Sequence, residues 1–280
     1  MKKFVYSVCA LFAAATISFA QDVNEATDLF NAAVEYLNLG DKASALENFQ
    51  KAYDIAKECG EAGQALVDQC ESTIPQLALM LAKDYVKAGD YATAVAKAKE
   101  ASAIAASMNA DSVVAEADAL VPNIYMQQGN VLIKAKDYEG AIAAYTNTLA
   151  LNPTNGKAYV NMAAAYDKLG QTDKAEETYL LAAANGQEKA ANRALGNIYL
   201  KKALAANKAK QFSQAIDLAK KSNSFNETSK AYYIIGLAAQ NSNKLDEAIA
   251  AFEKYLELEP SAANSQDVRT VVEGLKKAKK

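Results

Sequence analysis

Apolar and small residues recur along this chain at the spacing of helix faces. One such stripe, at positions 0, 3, 4 and 7 of a helix, is formed by Tyr159, Met162, Ala163 and Tyr166. Gly170 follows, a residue that readily adopts the positive φ of a helix C-terminal turn. No run of alternating β-branched residues appears, and good helix formers such as Ala, Leu, Lys and Glu dominate. The pattern predicts an all-α fold of helices joined by short turns.

The paired stripes repeat along most of the chain. Counting back 34 residues from Tyr159 gives Tyr125, which starts the same pattern in the preceding unit. A copy near the C-terminus has its small and aromatic positions in the same order: Tyr232, Ile235, Gly236, Ala239, Ala248, Phe252, Tyr255 and Pro260. In the unit that begins at Leu195, the second stripe starts at Ala215, seven residues later than elsewhere. Because seven residues are about two helical turns, we expect a longer first helix there with an unchanged buried face.

These positions resemble the tetratricopeptide repeat, in which W-x2-L-G-x2-Y marks the first helix, A-x3-F the second and P the end of the unit. The resemblance covers roughly residues 26–260 and implies a right-handed α-α superhelix of helix pairs, whose first helices line a concave binding surface. We predict a signal peptide at residues 1–20, a solenoid of five to six repeats at 21–260 and a C-terminal capping helix at 261–280. The repeats are expected at about 26–59, 62–106, 109–153, 156–187, 188–225 and 229–260.

Two units carry about thirteen extra residues ahead of the repeat, and each extension ends at a proline. Residues 65–74 precede Pro75, residues 112–121 precede Pro122, and both segments have helical composition. Proline removes one backbone hydrogen bond and bends a helix. We therefore interpret 62–88 and 109–135 as single bent helices; a break into two helices at each proline is the alternative.

The first twenty residues have the order of a secretory signal. Lys2 and Lys3 precede an apolar run, and Ser18-Phe19-Ala20 places small residues at the −3 and −1 positions of a cleavage site. The run is shorter than the ~20 residues that a membrane-spanning helix needs. We expect cleavage after Ala20 and an exported, periplasmic protein.

Composition excludes several classes of function. The 280 residues include no His, so no Ser-His or Cys-His pair and no His metal ligand can form. The net charge of −3 with only two Arg argues against nucleic acid. No glycine-rich loop follows a strand, so nucleotide binding has no support. We expect a protein that is not an enzyme and holds no cofactor and no metal.

Cys59 and Cys70 remain once the signal is removed, and an oxidising compartment favours a disulfide between them. Along one straight helix their Cα atoms would lie about 16 Å apart, so a bond needs a turn, which Gly60 and Gly63 can supply. A turn centred near residue 64 would place the cysteines opposite each other, whereas one centred nearer 61 would leave them offset. Two small buried hydrophobes are the alternative.

The partner-binding residues are predicted on the first helices of the central repeats, off the packing stripe: Asn123, Met126, Asn130, Lys157, Val160, Asn161, Arg193 and Asn197. The corresponding positions in the first two units are Phe30, Val34, Leu37, Leu79, Lys83 and Val86. Amides both donate and accept, which suits an extended peptide backbone.

Family members with a carboxylate clamp hold a peptide C-terminus with two Asn and three basic residues. Asn130 and Asn161 match the two Asn, but Met126, Ala191 and Leu195 stand where the basic residues should be. The resemblance therefore argues against capture of a terminal carboxylate.

The sequence thus predicts an exported, non-enzymatic interaction scaffold or adaptor of the cell envelope, which binds a protein or peptide in its concave groove. Neither nucleic acid nor metal is an expected partner, and any membrane contact would be peripheral. A small-molecule or lipid-binding periplasmic protein, with an apolar pocket inside the superhelix, is the alternative. An enclosed cavity larger than the gaps between helix pairs would favour it.

Overall fold

The computed structural model describes residues 19–279, and α-helices make up almost all of this segment. The thirteen α-helices are α1 Phe19–Leu39, α2 Lys42–Glu58, α3 Gln64–Ala88, α4 Tyr91–Ser107, α5 Asp111–Lys134, α6 Tyr138–Leu151, α7 Gly156–Lys168, α8 Thr172–Ala182, α9 Glu188–Lys208, α10 Phe212–Phe225, α11 Ser229–Asn241, α12 Leu245–Leu258 and α13 Ser265–Ala278. No strand occurs between residues 19 and 279. The predicted all-α fold is confirmed.

Two predictions about helix length are also confirmed. α3 continues through Pro75 and α5 through Pro122, so the alternative of a break at each proline is wrong. α9 has 21 residues and α7 has 13, which agrees with the lengthened first helix expected in that unit.

Small residues on odd-numbered helices let the following helix approach closely. A Cβ added to Gly129 would lie 2.5 Å from the ring of Tyr145, and one added to Gly236 would lie 2.6 Å from the ring of Phe252. In both cases the aromatic ring follows the glycine by sixteen residues. The ring therefore fills the space that a side chain would occupy, and this spacing fixes how the two helices pack.

Each turn from an odd-numbered helix to the next contains one residue with positive φ: Gly40, Gly89, Lys136, Gly170, Lys210 and Asn243. The N–H after it donates to the carbonyl five residues earlier, as Asp41 does to Tyr36 at 2.9 Å. This is the closing bond of a Schellman turn. Lys136 and Lys210 adopt the left-handed conformation although they are not glycines. This conformation costs a non-glycine residue about 1–2 kcal/mol.

The chain divides into two compact units, Met1–Tyr125 and Met126–Lys280, and the division falls within α5. In the first unit, Phe30 and Leu79 are buried, with 9% and 1% of their surface exposed, so their prediction as groove residues is wrong. The ring of Phe30 packs edge-on against Phe49 of α2, with the ring centres 4.9 Å apart, and both Phe30 and Leu79 belong to a buried cluster that extends to Val113 and Ala117 of α5.

The predicted Cys59–Cys70 disulfide is not formed in the structure, where both residues are buried free thiols. The turn between α2 and α3 is a short 3₁₀ segment, Gly60–Ala62, centred on residue 61. Cys70 consequently lies six residues, or about 9 Å, beyond the start of α3, while Cys59 ends α2. Burial raises the pKa of the Cys70 thiol to about 12, which keeps it in its unreactive form.

The predicted signal peptide falls almost entirely outside the described residues. From residue 19 onward, every helix is too short or too polar to cross a membrane.

Candidate functional site

The eight predicted partner-binding residues fall into both units. Asn123 belongs to the first unit, where it is exposed and its Nδ2 donates to the carbonyl of Ala119 at 2.9 Å. The other seven lie in the second unit, on the end of α5, on α7 and on α9. The structure therefore supports a candidate site in the second unit, built without Asn123.

Asn130 on α5 and Asn161 on α7 meet in one polar cluster. The Oδ1 atom of Asn130 accepts two hydrogen bonds, from the hydroxyl of Tyr145 at 2.9 Å and from Nδ2 of Asn161 at 2.9 Å. Burial raises the pKa of Tyr145, while its hydrogen bond with Asn161 acts in the opposite direction. The phenol stays neutral, and its hydroxyl fixes the orientation of the Asn130 amide.

A cleft of about 340 Å³ opens beside this cluster; its lining is Asn130, Ile133, Lys134, Tyr145, Asn161 and Ala164. A second cleft of about 360 Å³ is lined by Asp167, Tyr179, Ala194, Asn197, Ile198, Leu200 and Lys201. The two lie against successive turns of α7, because Ala164 lines the first and Asp167 the second. We call the pair of clefts the α7 groove, defined by Asn130, Lys134, Asn161, Ala164, Asp167, Asn197 and Lys201.

The remaining predicted residues lie at or beside this groove. Lys157 is exposed one helical turn before Asn161, and Arg193 is exposed one turn before Asn197. Val160 is half-buried and packs against a core cluster of α7, α8 and α9, so it is partly a core residue. Met126 is half-buried on α5. The amides and the two basic side chains thus remain candidates for partner contact.

Two of the positions compared with the carboxylate clamp are core positions. Ala191 and Leu195 have no exposed surface, so neither could present a side chain to a ligand. The neighbouring residue that does line the α7 groove is Ala194, which is also uncharged. This chain therefore lacks the basic residues of a carboxylate clamp at these positions, and the residue that shows it at the groove is Ala194, since Ala191 and Leu195 are buried.

Sequence reasoning missed the hydroxyl of Tyr145, Asp167 and Lys201 as groove residues. The ring of Tyr145 packs on Gly129, next to Asn130, so its hydroxyl reaches Asn130 from α6. Lys201 stands four residues after Asn197, a spacing that places the two on one helix face. In the groove, Lys201 Nζ lies 3.4 Å from Asp167 Oδ2, an ion pair between α9 and α7.

Glu176 on α8 is not a solvated surface charge, because it lies half-buried among three partners. It accepts a hydrogen bond from the hydroxyl of Tyr199, pairs with Lys202 at 3.0 Å and lies 3.8 Å from Lys221. Burial by itself raises the pKa of Glu176, but these hydrogen bonds and charges outweigh it and hold the pKa below its ordinary value. The cluster ties α8, α9 and α10 together, with Lys221 Nζ also 4.2 Å from the centre of the Tyr199 ring.

Comparison with known families agrees with the helix pairs described above. One model of the tetratricopeptide repeat matches residues 132–198, and another matches residues 29–59 and 229–261. These three segments of the chain are similar to the tetratricopeptide repeat. Tetratricopeptide repeats generally form protein-interaction scaffolds and not enzymes.

Among curated proteins, the small glutamine-rich tetratricopeptide repeat-containing protein 2 of Mycosarcoma maydis is 28% identical over 135 residues, which is 48% of this chain. The aligned part spans 27% of that relative's length. Among solved structures, YrrB, a tetratricopeptide repeat protein with an unusual peptide-binding site, is 22% identical over 55% of this chain and 77% of its own, with a TM-score of 0.36. MamA from Desulfovibrio magneticus RS-1 is 20% identical over 68% of this chain and 97% of its own, with a TM-score of 0.35.

Proposed function

We propose that this protein is an exported, non-enzymatic adaptor that binds a peptide or protein partner in the α7 groove. The observation that carries the proposal is the amide cluster at the groove: Asn130 is held by Tyr145 and Asn161, within a cleft of about 340 Å³. Ordered amides of this kind can donate to and accept from an extended main chain, and they need little reorganisation on binding. Asn197 adds a further amide in the adjoining cleft.

Export to the periplasm of a bacterial cell envelope is part of this proposal. It is supported by the order of charge, apolar run and small residues in the first twenty positions. N-terminal sequencing of the protein recovered from the periplasmic fraction checks it, with Gln21 as the expected first residue. A chain that still begins at Met1 in the membrane fraction would contradict it.

Photo-crosslinking in intact cells tests the groove. A photoreactive amino acid at Ala164, which lines the cleft, should capture a protein partner that mass spectrometry then identifies. The matched control is the same amino acid at Glu177, an exposed position on α8. Capture at Glu177 and not at Ala164 would move the partner site away from the α7 groove.

The alternative of a small-molecule or lipid-binding protein stays a prediction. It requires an enclosed apolar cavity. The cavities described for this chain have volumes of about 340–490 Å³ and open to solvent, with polar side chains in each lining. The geometry of these clefts favours an extended chain over an enclosed small ligand.

A further inference from the structure

Four helices of the second unit, namely the end of α5 and the whole of α7, α9 and α11, are strongly basic; α13, which follows the last helix pair, is not counted with them. α7 contains two basic residues, Lys157 and Lys168, and one acidic residue, Asp167. α9 contains five basic residues and one acidic residue, Glu188. The end of α5 and the whole of α11 each add one lysine and no carboxylate. These helices therefore carry nine basic and two acidic side chains, although the whole chain has a net charge of −3.

The odd-numbered helices of the first unit have the opposite charge. α1, α3 and α5 up to Tyr125 together carry ten acidic and two basic side chains. The positive charge is consequently a property of the helices that build the α7 groove. A general preference for lysine on the first helix of each repeat would have produced it in both units.

The basic residues of these helices also differ between the two units in their ion pairs. In the first unit both basic residues are paired: Lys83 Nζ lies 2.6 Å from Glu116 Oε1, and Lys87 Nζ lies 2.9 Å from Asp84 Oδ1. In the second unit only Lys201 and Lys202 of the nine have an ion-pair partner among residues 19–279. Seven positive charges are therefore left without a carboxylate of this part of the chain.

Five of those seven charges border the α7 groove. Lys134 lines it directly. Lys157 and Lys168 lie four residues before Asn161 and four after Ala164, on the same face of α7. Arg193 precedes Asn197 by four residues and Lys208 follows Lys201 by seven, on one face of α9.

We propose that the α7 groove selects an extended peptide segment rich in Asp and Glu. This inference rests on the proposed function and adds the chemistry of the partner: carboxylates that neutralise the five bordering charges. Neighbouring helices pack about 8–10 Å apart, and an extended chain rises about 3.3 Å per residue. Acidic residues about three positions apart would therefore meet α5, α7 and α9 in turn, with Asn161 and Asn197 facing the main chain between them.

The segment is internal to its protein, because the positions that would clamp a terminal carboxylate are uncharged. A peptide also fits better than the other common polyanion, nucleic acid. Only one of the five bordering residues is Arg, whose planar fork suits phosphate, and the two aromatic rings that line the clefts, Tyr145 and Tyr179, are buried and cannot stack on a base.

Fluorescence anisotropy with capped peptides tests the proposal on the mature full-length protein. The probes are acetyl-(Glu)10-amide, acetyl-(Gln)10-amide and the oligonucleotide (dT)10. We expect saturable binding of the glutamate peptide, weakened by added NaCl, and no binding of the glutamine peptide. Lys157→Gln with Arg193→Gln should weaken binding roughly 3- to 20-fold at low salt, since each exposed ion pair contributes modestly. The matched control, Lys174→Gln with Lys254→Gln on even-numbered helices, should change it by less than about twofold.

A random dodecapeptide library panned on the same protein separates this inference from the proposed function. Enrichment of Asp- and Glu-rich peptides supports both. Enrichment of neutral peptides that Asn161→Ala no longer binds would overturn the acidic partner and keep the groove. A library with no enriched peptide would overturn both. Tighter binding of (dT)10 than of the glutamate peptide, or self-association abolished by the lysine–arginine double variant, would assign the charges to nucleic acid or to a second copy and overturn the inference.

Discussion

The two units share one helix-pair repeat but use its odd-numbered helices differently. In the first unit, Phe30 and Leu79 are buried where a groove was predicted, and Lys83 is paired with Glu116. In the second unit, the corresponding surface around α7 keeps its amides and Lys157 accessible. The repeat spacing therefore determines how two helices pack, while the residues between the packing positions decide whether a face is closed or open to a partner.

The overall charge conceals this difference. Within the bounds of the two units, the first has a net charge of −8 and the second of +5, which together give the −3 of the whole chain. The argument from net charge against polyanionic partners holds for the chain as a whole but not for the second unit. Charge counted by unit is the more informative quantity for a repeat protein, because each repeat contacts only its neighbours.

The largest expected effect is on the closed face of the first unit. Leu79→Ala should lower the free energy of unfolding by about 2–5 kcal/mol, because it removes a fully buried side chain and leaves a cavity. Asn197→Ala, at an exposed position on α9, should change it by less than about 0.5 kcal/mol. Urea unfolding followed by circular dichroism measures both. Similar small losses for the two variants would mean that the first unit is as open as the second.

A smaller effect separates the two amides of the groove. Asn130→Ala should lower the free energy of unfolding by about 1–3 kcal/mol, because the buried hydroxyl of Tyr145 loses its acceptor. Asn161→Ala leaves that bond intact and removes the bond between the two half-buried amides, so its loss should be smaller, about 0.5–1 kcal/mol. Thermal unfolding of the two variants checks this, with Tyr145→Phe combined with Asn130→Ala as the control that should recover part of the loss. Equal melting temperatures for both single variants would contradict the assigned hydrogen bond.

The Glu176 cluster predicts a pH dependence that belongs to the second unit. The folded-state pKa of Glu176 is held below its ordinary 4.5, so its contribution is fully present above pH 4.5 and is lost as the pH falls through the folded-state pKa. Glu176→Gln should lower the free energy of unfolding by about 1–2 kcal/mol at pH 7. It should also reduce the loss of stability between pH 4.5 and pH 3, which we call the acid limb. Unfolding measured from pH 7 to pH 3 checks it against Glu177→Gln, which is exposed and should leave the limb unchanged. An acid limb that Glu176→Gln leaves intact would refute the role of the cluster.

The smallest effect comes from the turns. Gly40 and Gly89 occupy the positive-φ position in the first unit, whereas Lys136, Lys210 and Asn243 occupy it at three turns of the second. Lys210→Gly should raise stability by about 0.5–1 kcal/mol, because it removes left-handed strain but adds freedom to the unfolded chain. Gly40→Ala should do the reverse. Differential scanning calorimetry measures both shifts, and a fall in melting temperature for Lys210→Gly would contradict the turn geometry.

The helix pairs were predictable from sequence because their signals are local. Gly129 and Tyr145, or Gly236 and Phe252, identify a close helix contact by spacing alone. The closed face of the first unit was not predictable, because Phe30 is buried against Phe49 of the next helix and within a cluster that draws residues from α1 to α5, which no local pattern specifies. Whether Cys59 and Cys70 could bond depended on the position of the turn between their helices. Gly60 and Gly63 both allow a turn, so the sequence did not determine its centre to within a few residues.

The site was predictable in part, because some of its residues follow a local helix register. Asn130, Asn161 and Asn197 were found from their helix register, and the structure places them in the two clefts of the α7 groove. Asn123 was grouped with them by register alone and belongs to the first unit. The bonds of Tyr145 to Asn130 and of Lys201 to Asp167 join separate helices, so no local pattern could specify them.

The central claim is that a partner lies in the α7 groove of the second unit. Its most direct test is the dissociation constant of the partner captured by crosslinking, measured by isothermal titration calorimetry for the wild-type protein and for Asn161→Ala. The account predicts roughly 3- to 10-fold weaker binding, since one amide contact is lost, with a melting temperature that falls less than it does for Asn130→Ala. Lys83→Ala in the first unit should bind as the wild type does. Unchanged affinity for Asn161→Ala together with weakened binding for Lys83→Ala would place the partner on the first unit and contradict the account.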